Sequence, residues 1–588
     1  MKREEVLSQY KWDLSSLFPN QDAFDENIRR CEELLTALKQ MEGSTCKDCE
    51  SFIAYMETSE AFGSCLDNAY VYAKMCCDVE PEKALNQQNL AKAELLLNTQ
   101  QSELAFVDLE LIRHKEIVDE YLKQPACKDF RYPISCVWKT IPHRLDEAGE
   151  KMLADMQDIC DNAQRTYQSW RGTFKDVMVD GKPQFLNGAT LREFLRNPDA
   201  QVRKDAYTNY FSEYKRLSAP MSNLLIGHAK GQVFNAHTRH FNTALEASLF
   251  EDDADKKLFD KVCMMANEKY ISGFHAYNAL KKELLELDEL HYYDLNVPLV
   301  KNAEIHYSIE ECFAILDEAL KPLGDDYLSK LHQARDNQWI DFMTHEGKRP
   351  GAYSWGTYTS NAYVMMNFTG GYDSLSTLAH ELGHSMHSTY SNENNRSMLA
   401  GYRIFVAEVA STVNEILLNR YLLSTSDNDE YKAYILYNLL EQLVGTLYRQ
   451  PMFAQFEAQL HEKIEKGEAV SNQTCMDLFL RLSKENYGPE VLLDETIHGA
   501  GCYYVPHFYY NFYVYKYTLG MSVALSFAQK ILSGNTSDYL SFLKMGGSES
   551  PIDELIHSGV DPNNDEVYND AFTFFAQTLE EFKELMKK

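Results

Sequence analysis

Glycine and proline are scarce, 27 and 16 among 588 residues. So few turn formers disfavour a turn-rich all-β architecture and favour long helices. Basic residues are outnumbered: 57 Lys+Arg stand against 88 Asp+Glu, a formal net charge of −31. That balance argues against a general binder of nucleic acid or of an anionic membrane, both of which need a basic surface. Long apolar runs are missing as well. No stretch reaches the ~18 consecutive apolar residues of a membrane span. The start, Met1-Lys2-Arg3-Glu4-Glu5-Val6, leads into no apolar core of signal-peptide length. The 13 cysteines are an odd number spread over a long chain. Disulfide scaffolds are short and cysteine-dense, so reduced thiols and a cytoplasmic location are expected. Cys46-Lys47-Asp48-Cys49 is a lone pair without the second pair a zinc ribbon needs.

What is present is helical periodicity. Apolar positions recur every three or four residues at Phe24, Ile28, Cys31, Leu34, Leu35 and Leu38, predicting a helix over 22–42. Long amphipathic helices are expected over 81–124 and 145–172. Asp180-Gly181, flanked by Val177, Val179 and Phe185, signals a hairpin. Asn197-Pro198-Asp199 opens a new helix. A division near 195 follows: an N-terminal helical region with a short hairpin over 1–195, and a second region over 196–588, which is the catalytic one if the motif described next is a metal site. Three short strands are expected near 339–343, 351–355 and 362–368, separated by glycine and polar residues. The last is read as an edge strand that can pair with an extended peptide through Tyr363, Met365 and Asn367.

Directly after this sheet, Asp373 is a suitable N-cap for a helix running to about Tyr390. Inside lies His380-Glu381-Leu382-Gly383-His384. At 100° per residue the two histidines sit about 40° apart, one turn along the axis. Both can reach one metal at ~2.0–2.1 Å. Glu381 projects beside them, where a carboxylate takes a proton from a water that the metal acidifies. Leu375, Leu378, Ala379, Leu382 and Met386 make the helix a buried one, so solvated histidines are disfavoured.

A third ligand is needed. A glutamate 19 or 20 residues after the second histidine is ruled out, because those positions are Arg403 and Ile404. The metzincin pattern fails at His387 and Tyr390. Glu408 follows His384 by 24 residues, a lone carboxylate in the apolar run 404–412. A buried carboxylate needs a cation, either the metal or an arginine such as Arg403 or Arg420. His387 shares the histidine face but lies about 10.5 Å from His380 along the axis, too far for one ion. It is read as a supporting or packing residue. Glu415, one heptad beyond Glu408, either hydrogen-bonds a ligand histidine or is solvated.

The run 503–517 holds nine aromatic residues. If Pro506 opens a helix, His507, Tyr510, Val514 and Tyr517 share a face. That stripe is either a set of donors to a tetrahedral oxyanion or an aromatic core. His498-Gly499-Ala500-Gly501 before it suggests a loop able to close over a substrate.

Together these elements resemble the thimet-oligopeptidase family of zinc metallopeptidases, most closely its oligoendopeptidase F branch. The resemblance rests on Tyr10-Lys11-Trp12-Asp13-Leu14, the stretches 293–298 and 347–353, the run 380–387 and the run 506–517. It implies a mainly α, two-lobed fold with a deep channel and a small sheet beside the metal helix. It also implies one Zn2+ per chain on His380, His384 and Glu408, Glu381 as general base, and short peptides as substrates. By the same resemblance His507 and a tyrosine, Tyr517 or Tyr510, are expected to polarise the scissile carbonyl. The expected activity is cleavage of internal peptide bonds, with no nucleic-acid or membrane partner. The oligomeric state is not readable. A carboxypeptidase or dipeptidyl carboxypeptidase is the alternative; it needs a cation such as Arg349 or Lys516 for the substrate's terminal carboxylate. A peptide-binding module with a structural zinc is a third reading, but it calls for four protein ligands.

Overall fold

The computed structural model describes residues 2–300 and 305–587, and the protein is mainly helical, as expected. Two compact units arise by packing, each assembled from three chain segments. One comprises Met1–Ile141, Glu304–Tyr421 and Phe527–Val560; the other Pro142–Ala303, Leu422–Ser526 and Asp561–Lys588. Among the described residues no helix is long and apolar enough to cross a membrane. All 13 cysteines are free thiols.

The first unit opens with the helices Gln21–Gln40 and Cys49–Val79, capped by Asn20 and Asp48. Each cap side chain accepts a hydrogen bond from an otherwise unpaired first-turn amide. Phe24, Ile28, Cys31, Leu35 and Leu38 form the buried stripe of the first helix. The long helix expected over 81–124 is three: Ala84–Glu103, Phe106–Arg113 and Lys115–Tyr121. The breaks fall where Leu104 and His114 turn to φ −104° and −107° with ψ near 10° and 21°. Apolar spacing carries no mark of such breaks, because the pattern resumes in phase after them.

The three strands beside the metal-motif helix are shorter than expected: Ile340–Asp341, Tyr353–Trp355 and Tyr363–Met365. Their order corrects one reading. Tyr363–Met365 is the middle strand, parallel to Ile340–Asp341 and antiparallel to Tyr353–Trp355. Both its edges are therefore spent on neighbours. The outer edge at Ile340–Asp341 is covered in turn, since Phe342 N–H donates to Tyr10 O and Asp13 N–H to Gln338 O. The remaining edge belongs to Tyr353–Trp355. Beneath the sheet Lys348 Nζ is fully enclosed, donating to Asp341 Oδ1 at 2.7 Å and to the carbonyls of Asp341, Met343 and Met366. A buried ammonium is tolerable only with such a complete set of acceptors.

In the second unit the hairpin at Val177–Val179 and Lys182–Gln184 forms as expected, with Asp180 and Gly181 both at positive φ. This is the primed turn that suits right-twisted strands. Asp199 caps the helix Ala200–Arg216. The aromatic run differs from expectation. Pro506–Tyr509 is one short 3-10 turn, and the following helix starts only at Tyr515. Between them Asn511 and Phe512 sit in the left-handed region at φ 53° and 57°. A buried acid holds them there: Glu457 Oε1 accepts from Phe512 N–H at 2.8 Å, and Ser248 Oγ donates to Asn511 O at 2.7 Å. Burial pushes the Glu457 carboxyl up to about 8, with the Phe512 amide pulling the other way.

Candidate metal centre and active site

The motif helix runs Tyr372–Asn394. Its N-cap is Gly371 rather than Asp373, which lies inside the first turn. Ser374 Oγ does the local satisfying, accepting from Thr369 N–H at 2.9 Å and Gly370 N–H at 3.3 Å. Glu408 sits on a second helix, Ile404–Thr425. The two helices touch at Gly383. A Cβ there would lie 2.6 Å from Ser411 Cα and 2.7 Å from Ala410 O, so only glycine allows this approach. Asn414 fastens the same contact by donating to Ala379 O at 3.0 Å, while Tyr327 OH donates to its oxygen. The glycine inside the motif is thus what lets a carboxylate 24 residues on reach the histidines.

His380 Nε2 and His384 Nε2 are 3.3 Å apart, and Glu408 Oε2 lies 3.5 Å from the first and 3.9 Å from the second. The centre of that triangle is about 2.1 Å from each corner, the usual Zn–N length. Two imidazoles and a carboxylate oxygen, all free on one side, also make a donor set suited to zinc. The residues fit a metal. Among the described residues this is the one group of histidine, cysteine or acidic side chains close enough to hold one.

The surrounding charges act unequally on these groups. Burial works against a charged His380, but Glu415 outweighs it, with help from Glu381 and Glu408, and pushes it up to about 9. Burial and the neighbouring His380 push His384 down to about 3. Glu415 Oε1 stands 3.6 Å from His380 Nδ1, behind the ring, where a carboxylate orients the imidazole. Glu381 is buried, and burial pushes it up to about 7, with Glu408 and Glu415 adding to the rise and His380 and the Ser354 amide opposing it. A cation held at the triangle would lower it again.

A cleft of about 580 Å³ opens beside these groups. Its walls include Gly351, Ala352, Asn367, His380, Glu381 and Glu415. Of the residues read as substrate contacts, Asn367 lines this cleft, while its amide holds Arg349 O and Gly351 O. Tyr363 and Met365 are fully buried in the middle strand. Arg349 is half-exposed and lies 3.5 Å from Asp78. Glu408 is no buried carboxylate; its side chain is 44% exposed. The cost of burying a charge therefore does not explain it, whereas two histidines at 3.5 and 3.9 Å do. His387 stands apart from the cluster. Its ring stacks on Tyr402 at 3.7 Å and meets Phe542 at 4.9 Å, with both nitrogens unpaired.

This separation sets an expected result. Glu408→Ala loses more metal affinity than the ~10–100-fold typical of changing an outer partner. His387→Ala keeps the metal within that range and instead lowers thermal stability by about 2–4 kcal/mol, the cost of a core cavity. Metal titration and thermal melts of both variants check the ranking; a stronger metal loss in His387→Ala would reverse the ligand assignment.

In the second unit His507, Tyr510 and Tyr517 do come together, though not along a helix. The His507 ring lies 5.8 Å from the Tyr510 ring and 5.9 Å from the Tyr517 ring, both edge-on, and Tyr517 OH is 3.4 Å from His507 Nε2. The left-handed turn at Asn511 and Phe512 folds the run back so that residues ten apart meet. Lys516 points elsewhere, into Asp252 at 2.6 Å.

Paired helical histidines, a carboxylate from a second helix and a buried glutamate beside them in a cleft define a metal-dependent hydrolase of the HExxH class. Comparison with known proteins narrows the class: the chain belongs to peptidase family M3, whose model matches residues 193–574. The model described as oligopeptidase F matches 113–170. The chain is 33% identical over 595 residues to oligopeptidase PepF of Bacillus subtilis, covering 100% of this chain and 88% of that protein. The plasmid oligoendopeptidase F of Lactococcus lactis subsp. cremoris is 30% identical, with coverage of 100% and 99%. Among solved structures, a peptidase from Chlamydophila abortus superposes with a TM-score of 0.93 at 29% identity, covering 99% of both chains. Oligoendopeptidase-F of Enterococcus faecium gives 0.74 at 28% identity, covering 96% of this chain and 99% of that one. The protein is a peptide-hydrolysing metallo-oligopeptidase, and its family implies a bound metal.

Proposed function

We propose that the protein is a zinc endopeptidase that cuts internal bonds of short peptides, working in the cytoplasm. The observation that carries this reading is the triangle of His380, His384 and Glu408, with Glu381 in the adjoining cleft. Zinc held there supplies Lewis acidity toward the scissile carbonyl and toward water. Glu381 accepts the proton of the attacking water and later delivers it to the departing amine. The Ser354 amide steadies the Glu381 carboxylate between those transfers. Glu415 keeps His380 oriented. The peptide backbone lies along the Gly351–Ala352 wall, beside the Tyr353–Trp355 edge of the sheet. His507 and Tyr517, with Tyr510 beside them, form a cluster of donors of the kind that suits an oxyanion.

The test is digestion of peptides of about 5 to 20 residues, blocked at both ends, against a native globular protein as control. Internal cleavage of the blocked peptides, with the native protein left intact, is the expected result. Cleavage confined to free C-terminal ends would instead establish the carboxypeptidase alternative, and digestion of the native protein would reject a preference for extended substrates.

A further inference from the structure

The second unit contains a cavity of about 830 Å³ that the reaction as described does not use. His507 forms part of its wall. Aromatic rings, among them Phe453, Phe479 and Tyr487, make up much of the rest. Against that lining stand four polar atoms that are buried and have no hydrogen-bond partner: Arg449 Nε, Gln450 Oε1, Ser483 Oγ and His498 Nε2. Buried polar atoms in native proteins are nearly all paired, so four among the lining residues of one cavity mark a place where something else completes the bonding; Arg449 Nε, Ser483 Oγ and His498 Nε2 can donate to it, while Gln450 Oε1 only accepts.

The charge of the missing group can be read from what is already neutralised. The carboxylate on the cavity wall, Glu441, is taken by Lys281 Nζ at 2.7 Å and Tyr277 OH at 2.6 Å. Arg449 and Arg192 also line the cavity; Arg449 feels the charge of Glu441, but no carboxylate among the described residues lies within ion-pair distance of either arginine. Arg192 is exposed, but Arg449 is drawn inward. Arg449 ends a π-helical turn, Val444–Arg449. Such turns re-aim side chains and recur at functional sites. A guanidinium kept always charged in an aromatic cavity, in a protein of net charge −31, calls for a planar anion.

We propose that this cavity binds a carboxylate of the peptide substrate, with Arg449 as its receptor and an apolar side chain of the same peptide against the aromatic wall. This rests on the peptidase reading above, through His507, a donor of the kind that suits a substrate carbonyl and one that borders the cavity. The carboxylate is either the peptide's C-terminus or an aspartate or glutamate side chain. The two sources share one chemistry and are separated by experiment. Neither Arg349 nor Lys516 supplies this function, since each already faces an aspartate.

Three N-acetylated peptides of one sequence decide it: the free acid, the C-terminal amide, and the amide with a glutamine changed to glutamate. For the unaltered protein, kcat/KM is expected to favour one of the two carboxylate-bearing peptides over the neutral amide by about tenfold or more, the scale of a charged hydrogen bond. Preference for the free acid assigns the C-terminus; preference for the glutamate peptide assigns a side chain. In Arg449→Gln that preference collapses toward one, and Arg449→Lys retains part of it. Equal rates for all three peptides in the unaltered protein overturn the proposal, as does a preference that survives in Arg449→Gln. Should the Gln variant fail to fold, the ratio in the unaltered protein and in Arg449→Lys still decides. If no peptide is cut at all, the peptidase reading is what fails. The cavity is then tested by calorimetry on the whole protein with acetyl-dileucine and its amide. Tighter binding of the acid by about tenfold supports the site, and equal binding overturns it.

Discussion

Glu381→Gln is expected to retain about one metal per chain and to lose peptidase activity by 10²–10⁴-fold or more, the scale of a lost general base. The exchange is nearly isosteric, so the packing around a buried side chain is kept. The amide still accepts the Ser354 hydrogen bond through its oxygen, but it takes no proton from water. His380, His384 and Glu408 are untouched, so metal content by elemental analysis stays where it was. The loss falls on kcat rather than KM, because the carboxylate acts on the proton in transit and not on the bound peptide. A variant that turns over peptides normally would remove Glu381 from the mechanism. A variant that is inactive and metal-free would leave the loss assigned to the metal.

The part of this site carried by a single helix was legible in the sequence, because helical spacing alone places His380, Glu381 and His384 about one metal. What depends on two elements meeting was legible only in outline. Glu408 was reachable by excluding the other spacings, yet the argument from burial of its charge was mistaken, since it stands half in solvent. Gly383 carried no signal of its own: the x-x positions of the motif are unconstrained until a second helix is laid against them. The strand 363–365 read as an edge because local pattern does not encode sheet order, and only its pairing with both 340–341 and 353–355 shows it to be central. His507, Tyr510 and Tyr517 were grouped by a helical period that the chain does not follow. They meet because Glu457, some fifty residues earlier, captures the Phe512 amide and turns the backbone. Arg449 was invisible for the same reason, since an arginine in a helix is ordinary until its surroundings are known to offer it no partner.

Gly383→Ala tests the contact on which the metal centre depends. The added methyl meets Ser411 Cα at 2.6 Å and Ala410 O at 2.7 Å. Both are backbone atoms of the Glu408 helix, so no rotamer change relieves the clash, and the helices must part by about 1 Å. His380 and His384 ride together on one helix and keep their 3.3 Å spacing, whereas the distances of 3.5 and 3.9 Å to Glu408 widen. The expected result is a protein that folds with a stability loss of about 1–3 kcal/mol for overpacking. Metal affinity falls sharply, and activity falls by about 100-fold or more, the scale of an ångström's misplacement at a reacting centre. Gly227→Ala is the matched control. It lies in the helix Ser218–Thr238 with nothing within 4 Å of its added methyl, so it gains a few tenths of a kcal/mol up to about 1 kcal/mol. Thermal melts, metal content and kcat/KM of the two alanine variants are compared side by side. If Gly383→Ala keeps both its metal and its rate, the helices have slid past one another without opening the triangle, and the close approach at Gly383 is then packing and not a condition of the site.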